Sequence, residues 1–171
     1  MHKFITSLLI LFVSLNVFSQ NEYFKLPEAK TQKPTLIFNK KIIGNEFLMK
    51  QLGSSKEEVN EKVNEIAVLM DKQNRALSDY YNLTEHGLLL FDLKEIPESK
   101  TQLELKEFFG LDKQNEIYID GYLLEGKKYR IALSGITEIE IVEPDKANGL
   151  KNRVLNIWTI AKNERYLESP N

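Results

Sequence analysis

The chain has 171 residues, 42% apolar and 28% charged, with a formal charge of −2 and no cysteine. That length and balance suit one globular domain of usual size, or two small ones sharing an interface. They give no electrostatic ground for binding nucleic acid or anionic lipid, and they exclude disulfides, thiolate catalysis, cysteine zinc sites and a cysteine-linked lipid anchor.

Met1-His2-Lys3 is a short basic start, and Phe4 to Phe18 is apolar apart from Thr6, Ser7, Ser14 and Asn16. Val17 and Ser19 stand at the −3 and −1 positions before Gln20. This pattern predicts a secretory signal peptide over 1–19, because the apolar run falls short of the roughly 20 residues a spanning helix needs. The mature protein is then expected outside the inner membrane, in the periplasm or at the outer-membrane periphery, and not as a lipoprotein. No later segment is long and apolar enough for a transmembrane helix.

Residues 20–34 are polar, broken by Pro27 and Pro34, and read as an extended leader. Thr35 to Ile43 alternates as a strand or a tight hairpin around Asn39-Lys40. Asn45 opens a helix with Phe47, Leu48 and Leu52 on one side. Ser55 and Glu58 form the pattern of a capping box, with serine at the N-cap and glutamate three residues on. Glu65 to Met70 reads as a buried strand. Asp71 then caps a helix carrying Ala76, Leu77, Tyr80 and Tyr81, and Leu88 to Leu93 is an apolar strand. Pro97 marks a boundary. Thr101 and Glu104 give a second capping box, before Leu105, Phe108 and Phe109 on one helix face and Gly110 as a stop. Ile117-Tyr-Ile-Asp-Gly-Tyr-Leu-Leu124 is the sharpest hairpin signal, since Asp120-Gly121 tolerates positive φ. A weak helix with Tyr129, Leu133 and Ile136 is expected next, then strands at Ile139–Val142 and 154–160.

The order of parts occurs twice. Ile37 to Ile43 aligns with Tyr118 to Leu124 at an offset of 81, Glu65-Ile66 with Glu138-Ile139 at 73, and Leu88-Leu89 with Val154-Leu155 at 66. The sequence therefore predicts an α+β fold of two related small mixed-sheet units, at 35–96 and 97–162, with a junction helix in the second and a polar tail at 163–171.

Ile119-Asp120-Gly121, Ile136-Thr-Glu-Ile-Glu-Ile-Val-Glu143 and Val154-Leu-Asn-Ile-Trp-Thr159 resemble, in that order, the hairpin, middle strand and last strand of the plug domain of TonB-dependent outer-membrane receptors. Val63-Asn-Glu-Ile-Ala-Val-Leu-Met-Asp-Lys72, then Ala76-Leu77 with Tyr80, then Gly87-Leu-Leu-Leu-Phe-Asp-Leu-Lys94 follow the same order in the first copy. The resemblance covers most of residues 35–160. It implies a plug-like fold in a Gram-negative envelope, and a non-catalytic binding or interaction module whose partner is an envelope or outer-membrane protein.

Side chains that carry chemistry are sparse. His86 is the one histidine after Gln20, too few for a histidine metal site, and Asp145 with Asn148 is too thin for a calcium loop. Glu138, Glu140 and Glu143 are the carboxylates that a small periplasmic hydrolase would use, yet Glu138 and Glu140 alternate onto one strand face, as a solvated face does. No phosphate-cradling glycine loop or nucleophile elbow is present, so no catalytic residue, metal or cofactor is assigned. Tyr80-Tyr81 and Phe108-Phe109 have core spacing, and Asp120-Gly121 is read as a turn. The candidate partner contact is Trp158 with Asn156. Alternation puts Leu155, Ile157 and Thr159 on the helix-covered core side, and Trp158 and Asn156 on the more polar side.

Overall fold

The computed structural model describes residues 23–69 and 80–166. The expected signal peptide, the Asp71 cap with Ala76 and Leu77, and the end of the polar tail lie outside them.

Alternating and β-branched runs form short strands around two left-handed turns. β1 (Thr35–Phe38) turns at Asn39-Lys40 into β2 (Ile42–Gly44), and φ at those two residues is 48° and 63°. Helices α1 (Glu46–Lys50) and α2 (Lys56–Lys62) lead to β3 (Val63–Leu69), and β4 (Leu88–Leu93) follows. After β5 (Ser99–Thr101) and α3 (Gln102–Phe108), β6 (Ile117–Ile119) turns at Asp120-Gly121, with φ of 51° and 88°, into β7 (Tyr122–Leu123). β8 (Arg130–Ala132), β9 (Glu138–Val142) and β10 (Val154–Trp158) complete the chain.

The strands make two mixed sheets, in the orders β3-β4-β1-β2-β8-β5 and β7-β6-β10-β9, with the short helices packed against them. The fold is α+β. In both sheets the hairpin's first strand runs parallel to the unit's last strand, which pairs antiparallel with the middle strand. The register repeats as well. Phe38 lies opposite Phe91 and Ile119 opposite Ile157; Ile66 lies opposite Phe91 and Ile139 opposite Ile157. These are the positions that the offsets of 81, 73 and 66 align. The hairpins differ by one residue, since Phe38 faces Ile42 while Ile119 faces Tyr122.

Local signals hold where the backbone itself needs them. Asn45 caps α1 through the Leu48 N–H, and both capping boxes form, Ser55 with Glu58 and Thr101 with Glu104. Four expectations are corrected. Pro97 does not separate the sheets, because β8 adds parallel to β2 and β5 antiparallel to β8, satisfying the otherwise open edge of the first hairpin. The helix expected around Tyr129–Ile136 is β8 plus one 3-10 turn, Leu133–Gly135; pairing on both sides overrides a weak helical spacing. Among the described residues β3 is an edge strand and not a buried one, and Ile66 and Val68 are exposed. Phe47 and Phe108 leave the apolar faces of their helices, whose buried contacts come from Leu48 and Leu105.

Ile37, Ile43 and Leu88 of the first sheet meet Ile117, Ile119, Leu155 and Ile157 of the second in one central core. A second cluster, with Phe38, Ile42 and Phe91, lies under Leu48 and Leu52. On the other face of the second sheet, Val154 and Tyr118 pack against Leu26 of the leader. That cover decides what the candidate residues can do.

Candidate functional site

The leader crosses the Asp120-Gly121 turn. Leu26 N–H donates to the Gly121 carbonyl at 2.7 Å, Lys30 N–H to the Asp120 carbonyl at 3.0 Å, and Leu123 N–H to the Phe24 carbonyl at 2.9 Å. A Cβ on Gly121 would stand 2.3 Å from Ala29 Cα, so only glycine admits the leader here.

This crossing buries an ion pair. Lys30 Nζ lies 3.5 Å from Asp120 Oδ2, with the two side chains 2% and 0% exposed. Lys30 also donates to Thr35 Oγ1 at 2.8 Å. The Asp120 carboxylate accepts the Thr159 N–H at 2.6 Å and the Thr159 hydroxyl at 2.7 Å. Burial pushes the Lys30 ammonium below its ordinary pKa, and the Asp120 carboxylate opposes that shift. The first sheet has a neutral counterpart: Asn39 stands where Asp120 does, and its Nδ2 donates to the carbonyl of Leu93, the position matching Thr159, at 2.7 Å.

A second layer surrounds the pair. His86 Nε2 lies 3.2 Å from the Lys30 carbonyl and 3.1 Å from the Tyr122 hydroxyl, which also reaches the Lys30 carbonyl and Glu85. Lys25 Nζ donates to both Glu85 oxygens at 2.8 Å. Burial, then the Glu85 contact, holds the Tyr122 hydroxyl far above its usual pKa. Burial would raise Glu85, but the bonds from Lys25 and Tyr122 outweigh it and leave the carboxyl below its ordinary value. Burial likewise holds His86 below its ordinary value, so its ring is neutral at neutral pH.

A nucleophile or general base must reach a substrate. Lys30 and Asp120 are instead closed off by protein, and their partners come from the leader, the first strand and the end of the last strand. The arrangement is a tie between chain segments distant in sequence.

The candidate contact residues sit on the same framework and need correction. Trp158 is 2% exposed and Asn156 is buried, so neither presents an open anchor. The Arg165 guanidinium lies 3.8 Å from the Trp158 ring centroid, and Trp158 Nε1 donates to Glu140 Oε2 at 3.3 Å. Asn156 Oδ1 accepts the Gly121 N–H at 3.0 Å. The face that alternation left open is covered by the leader and by the segment through Arg165. Of the three candidate carboxylates, Glu138 holds Arg165 and Glu140 holds Asn156 and Trp158, while Glu143 is exposed.

The remaining candidates are local. Tyr81 is buried and stacked on Tyr23, with ring centroids 5.0 Å apart. Asn82 is buried between the Phe24 N–H and the Leu123 carbonyl. Asp145 and Asn148 close one loop on each other. A groove of about 270 Å³ runs between Pro27 and Asn148, with Glu28, Glu140 and Asp145 on its walls. Among the described residues no three histidine, aspartate or glutamate side chains are placed to hold a metal ion, and no helix is long and apolar enough to cross a membrane.

The sequence reading took Asp120-Gly121 as a turn and missed the carboxylate's second role. It missed Lys30 altogether, because one lysine in a polar leader looks like any other. The only available signal was Thr159, a polar residue on an otherwise apolar strand face. Comparison with protein-family models, curated proteins and solved structures finds no match for this chain.

Proposed function

We propose that the chain is an exported, non-catalytic, plug-like interaction module of the Gram-negative envelope, associated with an outer-membrane receptor system, and that its two units descend from one duplicated ancestor. The observation carrying this reading is the repeated strand order with its repeated register, which follows the plug-like order of motifs in the sequence. The use of Lys30, Asp120, Glu138 and Glu140 in internal ties also favours a binding module over the small hydrolase, whose carboxylates would have to converge on an open cleft. The test is site-specific photo-crosslinking in intact cells of a Gram-negative host, followed by mass spectrometry of the envelope fraction. The expected result is a mature chain beginning at Gln20, linked to an outer-membrane protein. Retention of Met1 on a cytoplasmic protein, or hydrolysis abolished by changing one carboxylate, would sink the proposal.

A further inference from the structure

The leader is fastened along the second sheet and then runs into the first. Its backbone bonds go to Asp120, Gly121 and Leu123, and Thr31 N–H donates to the Arg165 carbonyl at 2.9 Å. The Gln32 side chain donates to the carbonyls of Glu164 and Tyr166 at 3.0 and 2.7 Å. From there the chain crosses to β1 of the first sheet through Lys33 and Pro34 alone.

That link is strained. Lys33 has φ of 68°, a left-handed conformation unfavourable to an L residue and opposed further by the proline that follows. The other non-glycine residues of positive φ among those described, Asn39, Lys40 and Asp120, all stand in hairpin turns that require it. Lys33 is held in place by its side chain, whose Nζ donates to Glu46 Oε1 and Glu164 Oε2 at 2.8 Å each. Those carboxylates are 41% and 45% exposed, so salt weakens the clamp. Strain is thus concentrated in one residue between two packed parts, the condition under which a segment changes partner.

We propose that the leader exchanges between two copies of the chain, with Lys33 as the hinge, to give a two-fold domain-swapped dimer. The surface that the leader leaves is specific for it. An open site lacks the ammonium beside Asp120, the Leu26 N–H on the Gly121 carbonyl and the Lys30 N–H on the Asp120 carbonyl. It also needs a backbone that lies against Gly121 where no Cβ could stand, as Ala29 does. The segment that meets all of these needs is the leader itself, so a freed site takes the leader of a second copy. The contacts from Phe24 to Gln32 then recur across the dimer, including Lys30 on Thr35, which stays with the site. Only the hinge changes, and Lys33 takes up the extended conformation usual before proline. The exchange breaks a buried ion pair, so monomer and dimer interconvert slowly enough to separate on a sizing column. The inference needs residues 23–35 alone and stands apart from the proposed function.

Complementation between two variants tests the exchange in the whole chain. Lys30→Met leaves Asp120 unpaired and Asp120→Asn leaves Lys30 unpaired, so each variant alone holds a lone charge in every site. A swapped dimer of one copy of each has one site with Lys30 on Asp120 and one site with neither charge. Unfolded together in urea and refolded, the mixture should give a heterodimer that melts near wild type, while each variant refolded alone melts lower. Variants of the hinge separate its strain from its clamp. Lys33→Gly and Lys33→Met both lose the ion pairs, but only glycine accepts φ of 68° without strain, so Lys33→Gly should give roughly tenfold less dimer than Lys33→Met. Lys33→Pro cannot adopt that φ and should be mostly dimeric. Equal dimer fractions in Lys33→Gly and Lys33→Met would overturn Lys33 as the strained hinge. A mixture that melts no higher than the variants alone, beside a Lys33→Pro protein that stays monomeric, would overturn the exchange itself.

Discussion

Breaking the Lys30–Asp120 pair isolates the tie that fixes the leader to both sheets. Asp120→Asn keeps a residue that tolerates the left-handed turn but removes the charge, and Lys30→Met keeps most of the lysine's volume. Each single change leaves the opposite charge in a site no more than 2% exposed. Removing one partner of a buried pair costs about 3–5 kcal/mol, because the remaining charge has lost its counterion. For a chain of this length each kcal/mol shifts the midpoint by roughly 2–4 °C, so either variant should melt about 10 °C lower. The double variant removes both charges together and should return to within about 1 kcal/mol of wild type, since a buried pair is worth little over neutral groups of the same shape. Urea unfolding, followed by circular dichroism and by the single tryptophan, gives the cycle directly. Additive losses in the double variant, or a loss below about 1 kcal/mol in Asp120→Asn, would show that solvent reaches the pair and that the tie is not what holds the leader.

Two further predictions concern folding. Trp158→Ala should cost about 3–5 kcal/mol in chemical unfolding, as a large buried aromatic does, and should leave partner recovery unchanged wherever the variant is folded; a wild-type melt would return Trp158 to the surface. The Thr101 N–H and hydroxyl hold the Glu104 carboxyl at about 2 against 4.5 for the free side chain, so its contribution is complete above pH 4.5 and lost as the pH falls toward 2. Glu104→Gln should therefore flatten the acid dependence of α3 amide protection in hydrogen exchange, and an unchanged acid slope would refute that role for the capping box.

What the sequence made legible was local or periodic. Both capping boxes, the Asn45 cap and the two hairpin turns depend on residues within four positions of each other, and all formed. The pairing registers followed the sequence offsets because one face of each strand must meet the shared core, and a slip of one residue would turn that face outward. The misreadings were failures of distance. Nothing near Arg130 announces that β8 will pair with β2, some ninety residues earlier. Burial of Lys30 depends on a carboxylate supplied by a turn in the other sheet. Phe108, 81% exposed at the end of α3, shows the converse, for helical spacing marks a face but does not supply the neighbour that would cover it.

The same distinction explains why a polar residue occupies the middle of β10. Asn156 corresponds by register to Leu90 of β4, and Gly121 corresponds to Lys40. In the first sheet Lys40 is exposed, so its turn is open to water, and an apolar Leu90 suffices beside it. In the second sheet the leader lies across the turn, Ala29 excludes any side chain on Gly121, and water is shut out. The Gly121 N–H then needs a partner within the protein, since a buried donor left without one costs about 1–3 kcal/mol, and Asn156 Oδ1 supplies it. Alternation alone reads that asparagine as a mark of exposure, because a polar residue on a strand face most often meets solvent. Here it marks the reverse. Its polarity serves a backbone group that is buried because the leader covers one of two similar turns, so the chemical difference between the units follows the leader and not the strand order they share.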